Sequence, residues 1–107
     1  MAVDDPGVVD IMSESETGSI VLTISDHMDW QDSLHHQRTL QEKINRYLAF
    51  VESGEILQHR PDAAGKPITI RVVCKYEADA KGRGFLRRVK AAVDNAGFEF
   101  RYEFFGH

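Results

Sequence analysis

One stretch, residues 30–53, sets what this chain can build. Leu34, Leu40, Ile44, Tyr47, Leu48 and Val51 recur mostly at three, four or seven positions. That spacing gathers side chains on one face of an α-helix. Gln37, Arg38, Gln41, Glu42, Lys43, Asn45 and Arg46 fill much of the remaining circumference. A stripe of this kind must be buried against another element, because most helical stability in proteins comes from packing an amphipathic face. Asp29 is the expected N-cap, since a short carboxylate accepts otherwise unpaired amide hydrogens, and Asp32 falls in the first turn, where negative charge is favourable. Gly54 is the expected terminator, with Ile56 and Leu57 packing just beyond it.

Strands supply the partner for that stripe. Residues 8–12 form a short strand candidate, residues 13–19 a polar turn, and residues 19–24 a second strand. Ile20, Leu22 and Ile24 alternate with Val21 and Thr23, so each set lines one face. The pair reads as an N-terminal hairpin. Residues 58–67, with Pro61, Gly65 and Pro67, read as a polar loop. Residues 68–76 give the clearest strand. Ile68, Ile70, Val72, Cys74 and Tyr76 lie on one side, and Thr69, Arg71, Val73 and Lys75 on the other. Asp79 can cap a second helix packed through Phe85, Leu86, Val89, Ala92, Val93 and Ala96 and closed by Gly97. Residues 98–104 then alternate Phe98, Phe100, Tyr102 and Phe104 with Glu99, Arg101 and Glu103.

The predicted order is β-β-α-β-α-β. Strands with one apolar and one mixed face imply an α/β or α+β two-layer sandwich, with a four-stranded mixed sheet and two helices on one face. A chain of 107 residues suffices for one core and is short for two. The expectation is therefore a single domain over residues 1–107, with residues 1–7 a flexible lead-in and 105–107 a short tail. No run approaches the apolar length that crosses a bilayer, and the start lacks a basic then apolar secretion segment. Cys74 is the single cysteine, so no intrachain disulfide forms. These features predict a cytoplasmic protein without a membrane partner, and Cys74 is expected to be packed.

The residues richest in chemistry cluster where the second strand meets the helix. Asp26, His27, Asp29 and His35, with His36 beside them, carry imidazole and carboxylate groups suited to metal binding or general acid–base work. Against a metal, His35 and His36 are adjacent and so point about 100° apart, unlike the i,i+4 pair of helical zinc motifs. Against an enzyme, no pattern of nucleophile, base and orienting group is legible, and both acids already have capping or turn work to do. The expectation is no metal and no cofactor. Trp30 either anchors the helix start against the sheet or, if exposed, serves as a contact for a partner.

Charge is unevenly spread. Residues 1–37 hold eight acids and no Lys or Arg, while all thirteen Lys and Arg lie in residues 38–107. Such a division can present an acidic or basic edge to a protein partner, or favour a homodimer. Arg83, Arg87 and Lys90 can share a helical face, flanked by Lys81 and Arg88. They lack any nucleic-acid-binding motif, and the overall charge of −4 argues against such a ligand. Lys81-Gly82-Arg83-Gly84 does not have the phosphate-loop arrangement. The leading reading is a non-enzymatic protein-interaction or regulatory domain, with Trp30, Arg83, Arg87 and Lys90 as contact candidates. The alternative is a small-molecule or metal-dependent enzyme centred on Asp26, His27, Asp29 and His35.

Taken together, VDDPGVVDIM, IVLTISDHMDW, LQEKINRYLAFVESGEI and ITIRVVCKY make the chain resemble a family of small bacterial α/β domains of unknown function. The resemblance spans roughly residues 3–104. It implies a single bacterial domain and carries no activity and no catalytic residues.

Overall fold

The computed structural model describes residues 11–104. Strands β1 (Ile11–Glu14) and β2 (Ile20–Asp26) are followed by helix α1 (Ser33–Glu52), and a short helix α2 (Ile56–His59) by a 3₁₀ turn, Pro61–Ala63. Strand β3 (Ile68–Cys74), helix α3 (Ala80–Asn95) and strand β4 (Glu99–Phe104) complete the order. The four strands form one sheet in the order β1-β2-β3-β4. β1 runs antiparallel to β2, and β2, β3 and β4 are parallel neighbours. The predicted mixed sheet in an α+β fold is therefore present.

Register explains the core. Ile20, Leu22 and Ile24 lie opposite Ile68, Ile70 and Val72, and Phe100 continues the Leu22–Ile70 row into β4. These side chains face the same way because strand side chains alternate. They form one buried cluster with Leu40, Ile44, Tyr47 and Phe50 of α1 and Phe85, Leu86, Val89 and Val93 of α3. Both helices thus cover the same face of the sheet.

Several local expectations change. Asp32, not Asp29, caps α1: its carboxylate accepts the His35 amide at 3.2 Å. Asp29 instead closes a turn by accepting the Gln31 amide at 3.1 Å. The helix therefore starts three residues later than the predicted start at residue 30. Its buried stripe is His36, Leu40, Lys43, Ile44, Tyr47 and Phe50, rotated from the predicted one. Leu34 is 57% exposed, and Leu48 and Val51 are only partly buried. Lys43, expected on the polar face, is buried with its ammonium 5.4 Å from the centre of the Tyr47 ring. The Tyr47 hydroxyl donates to the Thr23 carbonyl of β2 at 3.0 Å.

Elsewhere β2 extends two residues further than predicted, and β3 stops at Cys74, which leaves Tyr76 exposed. Ala92 and Ala96, expected to pack, are exposed. The stretch read as a polar loop, residues 58–67, holds the end of α2 and the 3₁₀ turn; α2 buries Ile56 and leaves Leu57 exposed, and the turn buries Ala63. Gly54 follows α1 at φ +83°, a left-handed conformation that costs glycine little. Asp79 caps α3 as predicted, accepting the Gly82 amide at 2.7 Å. The first strand candidate is displaced to Ile11–Glu14. Its residues 8–10, the lead-in 1–7 and the tail 105–107 lie outside the described residues.

The sheet has two distinct ends. At the amino ends of β2 and β3, Lys66 pairs with Glu14 at 2.9 Å, and Arg60 pairs with Asp62 at 2.8 Å. Longer contacts of 3.4 Å from Arg60 to Glu14 and from Lys66 to Asp62 join these into one network. Here acids and bases from the two unequal parts of the sequence meet. At the carboxyl ends, the connections 27–32 and 75–79 lie side by side, held by the Trp30 indole N–H donating to the Tyr76 carbonyl at 3.4 Å.

Candidate functional site at the carboxyl edge

Asp26, Cys74 and Phe104 form the last row of the sheet, opposite one another across β2, β3 and β4. In sheets of parallel strands, ligands bind outside the carboxyl ends, where the connecting loops leave crevices. Among the features at this edge are a sealed polar cluster, a groove beside it, and a small aromatic cavity.

The sealed cluster is built on Asp26. His36 Nε2 lies 2.6 Å from Asp26 Oδ2, and both side chains are fully buried. His36 Nδ1 lies 2.9 Å from the Asp29 carbonyl. A carbonyl can only accept, so Nδ1 carries hydrogen. Nε2 faces a carboxylate oxygen, so a proton also lies between Nε2 and Oδ2. Asp26 Oδ1 accepts the Met28 amide at 3.2 Å, and the Cys74 thiol approaches Oδ2 at 4.0 Å. Trp30 stacks on His36 with ring centres 3.7 Å apart. Burial pushes the Cys74 thiol from its ordinary value near 9.0 up to about 12, and the Asp26 charge acts in the same direction. A thiol held protonated is a poor nucleophile.

This geometry divides the predicted acid–base set. Asp26 is drawn inside and pairs with His36, the histidine given no role of its own in the sequence reading. His27, Asp29 and His35 stay exposed. They line a groove of about 350 Å³ with Met28, Asp32 and Tyr76. Among the described residues, no three His, Cys, Asp or Glu side chains gather closely enough to hold a metal ion. His36 had a legible signal: it stands four and eight positions before Leu40 and Ile44, on the buried stripe itself.

The predicted contact residues separate as well. Trp30 is 8% exposed, which makes it the anchor of the junction rather than a surface contact. Gly82 of α3 packs on its indole so closely that an added Cβ would lie 2.8 Å from a ring carbon. Arg83 donates to the Ala78 carbonyl at 2.9 Å, and Lys90 pairs with Asp94 at 3.2 Å. Arg87 is exposed on the same helix. The basic group is thus partly engaged in local bonds.

The third feature was not foreseen as a site. Tyr76, Tyr102 and Phe104 are 43%, 42% and 49% exposed. With Cys74, Glu77, Ala78 and Arg83 they line a cavity of about 180 Å³. It opens beside β4, whose only neighbour among the described strands is β3. Its sequence signal was the regular alternation of aromatic and charged residues over 98–104.

A family model described as a family of unknown function (DUF6572) matches residues 1–106. No curated protein and no solved structure matches the chain.

Proposed function

The chain belongs to this family of unknown function over residues 1–106, and on its geometry we propose a non-enzymatic protein-interaction or regulatory domain whose contact surface is the margin of β4. One observation carries the reading. Three half-exposed aromatic side chains converge on a small cavity beside a strand edge. Aromatic groups supply much of the binding energy at protein interfaces, and an unpaired strand edge offers backbone donors and acceptors to an incoming chain. The strongest acid–base pair on the same edge, Asp26 with His36, is shut away from solvent, which favours binding over catalysis.

Site-specific photo-crosslinking in extracts of the source cell tests this. A photoreactive phenylalanine analogue replaces Tyr102, and a control replaces Leu57, exposed on α2. The expected result is protein adducts strongly enriched at position 102. Equal or greater yield at position 57 would sink the proposal.

The alternative is an enzyme using His27, Asp29 and His35, and their shared groove is the observation in its favour. It lacks Asp26, the buried member of the acid–base set. A turnover unaffected by Asp26→Asn but abolished by His27→Ala would favour it.

A further inference from the structure

Resting on the reading of the β4 margin as a contact surface, we infer that its partner is a second copy of this chain. The two copies join β4 to β4 antiparallel about a two-fold axis through Tyr102, making one continuous eight-stranded sheet.

The sequence of β4 selects both partner and register. A two-fold axis perpendicular to a sheet pairs residues that project from the same face, so it must pass through a residue position. Centred on Arg101, the pairing opposes Arg101 to itself and Glu99 to Glu103. Centred on Glu103, it opposes Glu103 to itself. Both place like charges directly across the strands, which is destabilising. Centred on Phe100, it opposes Glu99 to Arg101 but pairs only residues 99–101 of the strand.

Centred on Tyr102, it pairs residues 100–104. Arg101 then lies opposite the second copy's Glu103, and the symmetry repeats that contact. On the other face Phe100 opposes the second copy's Phe104, and the two Tyr102 rings meet at the axis. The half-exposed Tyr102 and Phe104 thereby gain apolar cross-strand neighbours. Glu103 already forms an ion pair with Arg71 at 3.3 Å. In the pair it would lie between Arg71 of its own chain and Arg101 of the other, while Arg101 adds a partner to its 3.4 Å contact with Glu99.

Sedimentation equilibrium on the full chain reads the association, and a charge swap reads the register. The wild type is expected to dimerise with Kd in about the micromolar range, as suits a small interface. Arg101→Glu should weaken the dimer at least about tenfold, and the double variant Arg101→Glu/Glu103→Arg should recover most of that loss. Circular dichroism confirms folding of each variant. Independently, Tyr102→Cys should form a disulfide-linked dimer on mild oxidation, because directly opposed Cα atoms lie within disulfide reach. Arg101→Cys, offset diagonally from itself, should not. A wild type still monomeric at about 1 mM overturns the inference, as does preferential cross-linking at position 101. If that monomer's position-102 photo-crosslinks go to a different protein, the second copy is excluded and the interaction surface stands. If they are no more frequent than at position 57, both readings fall.

Discussion

Asp26 and Phe104 end two strands of one sheet, in the same row and on the same face, yet one is sealed and the other stands half in water. Cys74 lies between them, touching the Asp26 carboxylate and lining the aromatic cavity. The difference comes from what each strand has above it. Over β2, the 27–32 connection and the first turn of α1 deliver a carbonyl, an amide, an imidazole and an indole. Each buried polar atom of Asp26 and His36 thereby finds a partner. Over β4, the described residues leave half-exposed aromatic rings and, among the described strands, an edge with no neighbour beyond β3. Position along an edge therefore does not make a site. A fully satisfied polar cluster fixes structure, while an unsatisfied apolar margin is available for binding.

The largest effect should come from breaking the sealed side. His36→Ala removes the Asp26 partner and the ring stacked on Trp30. It leaves a buried carboxylate with only the Met28 amide and the Cys74 thiol. Loss of one member of a buried ion pair costs about 3–5 kcal/mol, readable from urea unfolding. Replacing both members by leucine should cost far less than the summed single variants, since no charge is then stranded. A His36→Ala cost below about 1 kcal/mol would show the cluster to be less dry than its geometry indicates. Nitrogen-15 shifts of the His36 ring should show hydrogen on Nδ1, facing the Asp29 carbonyl, and a proton held between Nε2 and Asp26.

The next effect tests how tightly Trp30 is held. Gly82→Ala would place a methyl 2.8 Å from the indole. That ring is already fixed by His36 and the Tyr76 carbonyl. Such overpacking costs about 1–3 kcal/mol. Gly84→Ala, two residues on in α3, meets nothing closer than the flexible end of Arg88 at 3.7 Å. There alanine should stabilise by up to about 1 kcal/mol through its helix propensity. Opposite signs for the two substitutions would confirm that Gly82 serves close packing.

The layer structure, strand count and packing of Leu40, Ile44, Val72 and Phe100 were legible because alternation and helical spacing report burial directly. The aspects that were not legible depend on three-dimensional company. Asp29 and Asp32 are equally good caps by composition, and only the path of residues 27–32 decides between them. His36 and Lys43 share the helical stripe, but a polar residue there is credible only when a partner is known, as Asp26 is for His36 and the Tyr47 ring for Lys43. The exposure of the aromatic margin was not legible for the converse reason. Tyr102 and Phe104 alternate like core residues, yet β4 is the last strand, and sequence periodicity does not reveal which strand lies at the edge.

Cys74 offers a smaller effect that reports from the boundary between the two regions. Its folded pKa is raised by burial and by Asp26, so the folded state holds the thiol proton more tightly than the unfolded chain. The resulting stability is fully present below the ordinary value near 9.0 and is lost as pH rises through about 12. Unfolding midpoints should therefore fall over that alkaline window in the wild type more than in Cys74→Ala. Labelling by a thiol reagent at pH 8 should be slow in the native protein and fast in urea. Fast native labelling would mean that the cavity opens through to the sealed side.

The smallest expected effect on stability belongs to the open side. Phe104→Ser removes a ring already half in water at the end of β4. Exposed positions usually change stability by only about 0.5 kcal/mol, and the remaining contact with the cavity raises that to about 1 kcal/mol at most by apolar area. Association through the margin should nevertheless fall at least about tenfold, because interface aromatics contribute well over 1 kcal/mol each. Unfolding and sedimentation measured on the same variant separate the two. A large loss of stability with unchanged association would place Phe104 in the core and remove the contrast between the two ends of the row.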